Sequence, residues 1–529
     1  MVFFLNKFDR TKKEFGEVAV FVEDEFDRID KLFAEFERAM DNNDYVSVEK
    51  RINLLDEKII HMGKLLEDAP TIVLMATVMV PNKIAEATTY YYRMQRDGYP
   101  LDYLNVEYNI KEIKNELLKD SYYEIDHSSG FKIFVYPKEN YSSTYAVFGT
   151  KYGSIDTCFK KEGEKDFTEV PEGIAHFLEH KLFESEELDA FTRYAKTGAS
   201  ANAYTSFDKT CYLFQCSGNF EDSLEILLDF VSNPYFTEQT VQKEQGIIGQ
   251  EIKMYEDSPE WRVLFNLLCA MYHNHPVKVD IAGSIESIAR ITPESLYTCY
   301  NSYYNLHNMA LSVVGNVEVD EVLKICDKYL KEQKKAEVKS LFPSEPYEIK
   351  KAYTEQTFPV AVPIFNLGFK LKADRLHNEE ELAHLDILLF MLASSTSPMY
   401  RELMDKGLIN STFSYEMFEG SGYSAIIFSG ESRDPQQVAE IVRAYFDKVK
   451  AEGLDEKDFA DAKKATYGDA LSSLNSVDTI ANMLEDFYFS KRNIFSYYDA
   501  ITNATLENAM NILNEIDTAN SSLSVVKGE

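Results

Sequence analysis

Two histidines and a glutamate stand close together in the segment HFLEH. His176 and His180 are four residues apart, and Glu179 directly precedes the second histidine. In a helix, residues four apart lie on one face, so both imidazoles could bind the same metal ion, with Glu179 beside it as a general base. The order of the three residues, HxxEH, is the inverse of HExxH, and this inverted order is found in one class of zinc peptidases. The same pentapeptide also occurs on ordinary polar helix faces, so the pattern alone leaves both interpretations open.

A third ligand is expected on a different element. A catalytic zinc site uses three protein ligands and keeps one position for water, whereas a structural site uses four, usually including cysteine. The segment VQKEQGIIGQEIKMYED contains Glu244 and Glu251, which are seven residues and therefore two helical turns apart. They share one helix face, and either could reach the metal.

The elements around these residues alternate between strands and helices. Stretches rich in β-branched and aromatic residues predict strands, and apolar residues three and four apart predict helices. The predicted strand pairs are Phe131–Pro137 with Tyr145–Tyr152 and Ala199–Thr205 with Thr210–Cys216, followed by a strand at Met309–Val314. The predicted helices are Glu172–Glu184, Glu221–Val231, Thr237–Tyr255 and Val319–Leu330.

The chain contains two copies of this arrangement. A linker rich in lysine and glutamate spans 331–346, and the same order of elements follows it. LSVVG at Leu311–Gly315 is echoed by LSVVKG at Leu523–Gly528, 212 positions later. We therefore predict an α+β protein with two homologous domains, 120–332 and 347–529, each an antiparallel sheet packed with helices.

An α-helical extension is predicted over residues 1–115. Two apolar stripes at helical spacing predict a helical hairpin or short coiled coil used in packing or docking. The first stripe is Phe26, Ile29, Phe33, Phe36 and Met40, and the second is Ile52, Leu55, Ile59, Met62 and Leu66. Residues Asp44–Val106 resemble a helical repeat of the bacterial septation-ring regulator EzrA.

Composition narrows the class of partner. The 529 residues carry a net charge of −33, which argues against nucleic acid because phosphate binding needs concentrated lysine and arginine. An acidic surface explains the charge, and an acidic cavity that attracts basic peptides would explain it as well. The sequence predicts neither a signal peptide nor a membrane span, since the longest apolar stretch, Thr71–Val80, is about half the length that a span needs. Six scattered cysteines favour reduced thiols and a cytoplasmic protein.

From about Tyr123 to Leu330 the sequence resembles the pitrilysin/insulinase family of metallopeptidases, which includes the mitochondrial processing peptidases. The matching segments, in the family's order, are GIAHFLEHKLF, GASANAYTSFDKTCY, the pair of glutamates, HPVKVDIAG and NMALSVVGN. The resemblance implies that Glu251 is the third ligand of one Zn²⁺ per chain and that Glu244 supports the site. With the duplication, it covers roughly residues 120–529.

The resemblance also implies how a substrate would bind. In the family, a peptide is added as a β-strand along an edge strand, which here would contain Ala201, Asn202 and Ala203 within Ala199–Tyr204. Asn202 would hold the peptide backbone, although it could instead close a turn. The implied function is a zinc endopeptidase that hydrolyses peptides or small unfolded proteins in a closed chamber.

The second domain departs from the family pattern. Active relatives carry an arginine and, seven residues later, a tyrosine that contact the substrate and the developing oxyanion. Alignment on Gly407 places Leu403 and Asn410 at those positions, whereas Arg401 and Tyr415 lie near them at a different spacing. The counterpart of the metal helix holds only a lone His384.

These departures indicate a single-half protein that works with a second subunit of the same fold. The subunit would supply the Arg/Tyr pair, in a heterodimer of the processing-peptidase type or in a homodimer. The alternative function is a non-catalytic subunit that binds peptides or acts as a scaffold for a partner. His273 and His275 in YHNHP are predicted to form a structural loop rather than a ligand pair.

Overall fold

The computed structural model describes residues 109–529, apart from 116 and 187, together with single positions between 26 and 58. Those single positions are helical, and Phe26, Ile29 and Leu55 among them are buried, in agreement with the predicted stripes. The other members of the stripes, and the predicted hairpin itself, lie outside the described residues. Residues 1–102 form a unit separate from residues 103–529, and the second unit contains everything described below.

Fifteen strands in the second unit are arranged in three sheets. The strands are β1 (Asn109–Asn115), β2 (Asp120–Asp126), β3 (Lys132–Pro137), β4 (Thr144–Thr150), β5 (Cys158–Lys161), β6 (Thr168–Glu169), β7 (Ser200–Thr205), β8 (Thr210–Cys216), β9 (Met309–Gly315), β10 (Val338–Ser340), β11 (Tyr353–Thr357), β12 (Ile364–Lys370), β13 (Ser414–Gly420), β14 (Tyr423–Glu431) and β15 (Ser521–Lys527). The seven-stranded sheet, which defines the first domain, has the order β1-β2-β3-β9-β4-β8-β7. The five-stranded sheet, which defines the second domain, has the order β11-β15-β12-β14-β13.

The helices pack on both faces of the two large sheets. Those of the first domain are α1 (Ile174–Leu182), α2 (Ala190–Thr197), α3 (Phe220–Ser232), α4 (Glu238–Glu256), α5 (Pro259–Met271), α6 (Ile285–Ile288), α7 (Pro293–Tyr303) and α8 (Val319–Tyr329). Those of the second domain are α9 (Glu379–Ala393), α10 (Pro398–Asp405), α11 (Pro435–Glu452), α12 (Glu456–Ser473), α13 (Val477–Phe489), α14 (Ile494–Asn503) and α15 (Leu506–Glu515).

The strand order confirms the duplication. In the first sheet, β9 pairs in parallel with β3 and antiparallel with β4. In the second sheet, β15 pairs in parallel with β11 and antiparallel with β12. The repeated LSVV segments therefore occupy equivalent positions in two sheets that are otherwise antiparallel, and the fold class is α+β with two homologous domains.

Two predictions about strands were wrong. The strands predicted at Phe131–Pro137 and Tyr145–Tyr152 do not pair with each other, because β9 lies between them. All seven residues of β9 are buried, and such an apolar strand is most stable at the centre of a sheet. The helical extension was predicted to reach residue 115, but 109–115 form β1, which pairs with β2 at the sheet edge. The predicted β7–β8 pair is confirmed.

Each domain covers part of the other domain's sheet. Helix α5 of the first domain packs on β12 and β15, and its counterpart in the second domain, α13, packs on β4 and β9. Leu267, Leu268 and Met271 enter one shared apolar cluster in this way, and Ile480 and Leu484 enter another. The linker is also held, since its segment β10 pairs with β5. The two sheets therefore share their cores.

One segment of the described chain, Glu379–Asp405, is long and apolar enough to cross a membrane by composition alone. Most of its apolar window is buried inside the protein. It comprises α9 and α10, and residues such as Leu385, Leu388 and Leu389 belong to the core of the second domain. The burial of this segment accounts for its apolar composition.

Candidate metal centre

Helix α1 presents the two histidines on one face. It begins after Gly173, whose φ of +84° is in the left-handed region that favours glycine. Phe177 and Leu178 are buried in the core of the first domain and fix the rotation of the helix. The rings of His176 and His180 then lie side by side, with centroids 4.6 Å apart.

Helix α4 packs against α1 and brings the two glutamates to these rings. It starts at a capping box formed by Thr237 and Thr240, which satisfies the first backbone N–H groups. Glu244 and Glu251 lie two turns apart along the helix. Their carboxylates face His180 and the space between the two histidines, respectively.

Three side chains converge on one point. Nε2 of His176 is 3.6 Å from Oε1 of Glu251, and Nε2 of His180 is 3.4 Å from Oε2 of the same carboxylate. Ligands that each lie about 2.0–2.1 Å from a tetrahedral zinc ion are about 3.4 Å apart, so the spacing fits such an ion. Among the described residues, these three form the one group with metal-ligand atoms mutually within 4.8 Å.

Glu244 orients His180 rather than joining the group. Its Oε1 lies 3.0 Å from Nδ1 of His180 and accepts the proton there, which leaves the lone pair of Nε2 free for a metal. Burial lowers the pKa of His180, but the hydrogen bond to Glu244 and the nearby carboxylates outweigh burial and raise it overall. Within the described part of the chain His176 has no such support, because its buried Nδ1 lacks a hydrogen-bond partner there.

Glu251 is held from outside the metal centre as well. The hydroxyl of Tyr255 donates a hydrogen bond of 2.7 Å to Oε1 of Glu251. The Tyr255 ring stacks on Trp261 at 4.6 Å, and Nε1 of Trp261 donates to Asp280. Interaction with His176, together with the Tyr255 hydrogen bond, lowers the pKa of Glu251 to about 2. The carboxylate is therefore anionic at neutral pH, as a metal ligand must be.

Glu179 lies on the same helix in a more enclosed position. Its side chain is buried, and burial raises the pKa of its carboxyl group above the usual value. Oε2 accepts a hydrogen bond of 2.6 Å from Oγ1 of Thr205, the last residue of β7. A carboxyl group of raised pKa suits the role of taking and returning a proton.

The predicted substrate-binding residues lie on a free sheet edge. Ala201, Asn202 and Ala203 belong to β7, which pairs only with β8 and ends the seven-stranded sheet. Asn202 is exposed, and its Oδ1 accepts a hydrogen bond from the backbone N–H of Ala203. The unpaired side of such a strand can accept another extended chain. Thr205 links this edge directly to Glu179.

The side chains at the two positions aligned with the family's arginine and tyrosine cannot replace that pair. Leu403 is fully buried in the core, and Asn410 hydrogen-bonds to Glu431 and to the backbone of a loop. Arg401 is exposed on α10, whereas Tyr415 faces a cavity beside α9. The structure therefore agrees with the prediction that Leu403 and Asn410 do not replace the family's arginine and tyrosine.

The remaining histidines discussed above are structural. His275 is fully buried and bonds to the carbonyl of Ser421, and Glu345 accepts the backbone N–H groups of His273 and His275. His384 uses both ring nitrogens, since Nδ1 donates to a carbonyl of its own helix and Nε2 accepts a backbone N–H. The structure agrees with the predicted loop and with the lone His384.

The fold and the cluster define a metallopeptidase half with an inverted zinc motif. A model of the insulinase domain (peptidase family M16) matches residues 167–284, and a model of the peptidase M16 inactive domain matches residues 290–466. A model of the septation ring formation regulator EzrA matches residues 6–126, which include the segment where that resemblance was predicted.

Individual relatives agree with these matches. The zinc protease YmfH of Bacillus subtilis is 39% identical over 412 residues, which cover 77% of this chain and 96% of YmfH. The structure of an M16-like peptidase from Alicyclobacillus acidocaldarius superposes with a TM-score of 0.73 at 32% identity, covering 80% of this chain and all of that one. Pitrilysin shares the fold with a TM-score of 0.60 at 14% identity, and the match spans 46% of its length. The chain therefore belongs to the pitrilysin/insulinase (M16) family, as a single-half member.

Proposed function

We propose that the chain is a zinc-dependent endopeptidase in which His176, His180 and Glu251 bind the metal and Glu179 is the general base. The observation that carries the proposal is the convergence of the Nε2 atoms of His176 and His180 on the Glu251 carboxylate. The buried carboxyl group of Glu179 lies beside them, on the same helix as the two histidines. Membership of a family of zinc peptidases supports the same activity.

Each residue would have a separate task in peptide hydrolysis. When bound, zinc supplies a water of lowered pKa and polarises the scissile carbonyl. Thr205 already occupies Oε2 of Glu179, so Oε1 would take the proton from that water and return it to the leaving amine. The free edge of β7 would align the peptide backbone beside Glu179, with Ala201, Asn202 and Ala203 in contact with it.

We further propose that a second subunit completes the enzyme. Leu403 and Asn410 cannot stabilise an oxyanion as an arginine and a tyrosine do, because one is apolar and buried and the other is already paired. A partner of the same fold, in a heterodimer or homodimer, would supply that pair and close the chamber. The same observation favours a second candidate function, a non-catalytic subunit that holds peptides for an active partner.

The test combines metal content with peptide cleavage. Zinc per chain is measured by mass spectrometry, and cleavage is measured with a mixed fluorogenic peptide library before and after chelation. The variants are Glu179→Gln, Glu251→Gln and, as a matched control, Glu256→Gln, which is exposed at the end of the same helix. We expect about one zinc in wild type, Glu179→Gln and Glu256→Gln, and zinc loss in Glu251→Gln. With a homologous subunit present, wild type and Glu256→Gln should cleave peptides, whereas Glu179→Gln and Glu251→Gln should not.

The outcomes separate the two candidate functions. Zinc binding without cleavage by the isolated chain, followed by cleavage after a homologous subunit is added, would support the heterodimer. Zinc binding without cleavage in either state would favour the non-catalytic subunit. A chain that binds no zinc would refute the peptidase proposal altogether.

We propose a cytoplasmic location as well. All six cysteines carry free thiols, which suits a reducing compartment. Fractionation of cells producing the full chain tests this, and recovery in the extracellular or membrane fraction would contradict it.

A further inference from the structure

A cavity of about 370 Å³ lies in the second domain at the position that corresponds to the metal centre. In the first domain, that centre is built from α1, α4 and the edge strand β7. The counterparts of these elements in the second domain are α9, α12 and the edge strand β13, and all three line the cavity. The duplication has therefore kept a recess at this place while replacing its metal ligands.

The recess contains two carboxylates. Asp386 on α9 accepts a hydrogen bond of 2.5 Å at Oδ2 from the hydroxyl of Tyr497. Asp469 on α12 is exposed at the rim. Burial, together with the charges of Asp386 and Asp469, raises the pKa of Tyr415 to about 12, so both carboxylates act on the same hydroxyl. Two negative charges thus border one small space.

A buried hydroxyl in the recess also lacks a partner. Thr466 is 7% exposed and lines the cavity, yet its Oγ1 makes no hydrogen bond within the described part of the chain. A buried polar group without a partner is destabilising, because it has lost its hydrogen bonds to water. A donor placed in the cavity would remove that destabilisation.

Most of the remaining wall is apolar, and Ser473 is a further polar residue in it. Leu382 and Phe390 come from α9, and Met483 and Phe487 come from α13. A metal ion would not suit these walls, and among the described residues the group able to bind one is His176, His180 and Glu251. A largely apolar wall that also carries two carboxylates instead matches a long aliphatic stem that ends in a cationic group.

We propose that this cavity binds the side chain of a lysine or arginine in the peptide substrate. The aliphatic stem would pack against Phe390 and its apolar neighbours, and the cationic head would donate hydrogen bonds to Asp386, Asp469 and Thr466. The proposal rests on the proposed function, in that the ligand is a peptide. It gives the protein a preference for basic peptides through a site separate from the metal centre.

The test measures binding without cleavage. Fluorescence anisotropy of the zinc-loaded Glu179→Gln chain is recorded with peptides of neutral sequence that carry a single lysine, arginine or norleucine at successive positions. A salt concentration of about 0.15 M screens the long-range attraction of the acidic chain. We expect the lysine and arginine peptides to bind about tenfold more tightly than the norleucine peptides at one position, as charge-assisted hydrogen bonds would give.

Three further substitutions, each made in the Glu179→Gln chain, locate the effect. Asp386→Asn and Thr466→Val should remove most of the preference, and both keep the shape of the original side chain. Asp461→Asn is the matched control, since Asp461 is exposed on the same helix as Asp469 and pairs with Lys464. It should leave the preference unchanged.

Other outcomes would overturn the proposal. Equal affinity for all peptides would show that the cavity does not recognise a basic side chain. An equal loss in Asp461→Asn would show that general acidity attracts the peptides. Tighter competition by free spermidine than by any lysine peptide would assign the cavity to small organic cations. Because the binding experiment needs no turnover, absence of cleavage by wild type both alone and with a homologous subunit would refute the proposed function and leave this result standing.

Discussion

The carboxylate of Glu251 depends on contacts that lie outside the histidine motif. Tyr255 donates to it, and Trp261 and Asp280 hold the tyrosine ring in place. Such supporting hydrogen bonds fix the orientation of a metal ligand before the metal binds. Tyr255 is therefore a positioning residue for the metal centre.

Substitution Tyr255→Phe should weaken zinc binding. The ring would still stack on Trp261, but Glu251 would lose the hydroxyl donor, and loss of such a contact typically weakens metal affinity about 10–100-fold. Competition with a chromogenic zinc chelator measures the affinity. Tyr235→Phe, at a partly exposed tyrosine of the same domain, is the control and should bind zinc like wild type. Unchanged affinity in Tyr255→Phe would show that the hydroxyl does not support the ligand.

Contacts between site residues could be predicted from the sequence when the residues are close together in the chain, and could not when they are far apart. His176, Glu179 and His180 lie within one helical turn or so, and the spacing alone places them on a common face. The contact between Glu179 and Thr205 joins residues 26 positions apart on different elements, and spacing holds no information about it. Tyr255 lies four residues after Glu251 on one helix, so its spacing could have indicated the contact.

At the scale of elements, the start of α1 sets the position of the whole metal helix. A Cβ atom on Gly173 would lie 2.3 Å from the carbonyl oxygen of Ala282, which is backbone and cannot move aside easily. The residue also has a positive φ. Two separate constraints therefore require glycine here.

Comparison of two glycine substitutions separates these constraints. Gly163 has a similar φ of +88°, but nothing lies within 4 Å of the Cβ that a substitution would add. Gly163→Ala should lower the free energy of unfolding by about 1–2 kcal/mol from backbone strain alone. Gly173→Ala should lower it by more and should also reduce zinc content, because α1 must shift. Denaturant unfolding and metal analysis measure both, and equal effects of the two substitutions would contradict the contact argument.

The pairing of strands could be predicted from the sequence where the two strands are neighbours along the chain. The β7–β8 hairpin joins neighbouring strands, and its alternation and turn residues were sufficient to predict it. The insertion of β9 between β3 and β4 brings together strands more than 150 residues apart, which no local pattern encodes. Strand β1 lies at the end of the predicted helical extension, well beyond Leu66, the last residue of the two apolar stripes on which that prediction was based.

At the scale of the whole molecule, the two domains are joined through the helices that cover each other's sheets. Glu485 on α13 lies within this junction and is fully buried. Its Oε1 accepts a hydrogen bond from Ser312 on β9, and its Oε2 has no hydrogen-bond partner among the residues that the structure describes. Burial raises the pKa of Glu485 to about 8. The junction thus contains a carboxyl group that is protonated at neutral pH.

This group should make the stability of the chain depend on pH. In the unfolded chain Glu485 ionises near pH 4.5, whereas in the folded chain it keeps its proton up to about pH 8. Between these values the unfolded state loses a proton and the folded state does not, so Glu485 lowers stability as pH rises, by at most about 1.4 kcal/mol per pH unit. Above about pH 8 both states are ionised and the contribution is constant.

Glu485→Gln removes this titration while its amide oxygen can still accept from Ser312. The variant should therefore gain stability over wild type progressively from about pH 5 to pH 8 and then keep a constant advantage, as measured by urea unfolding at several pH values. Glu440→Gln, at an exposed position on α11, controls for the loss of one negative charge and should show no such trend. A difference between Glu485→Gln and wild type that does not change with pH would mean that the buried carboxyl is ionised throughout. The junction would then have to hold a charge, which Lys209, a nearby cation, would need to balance.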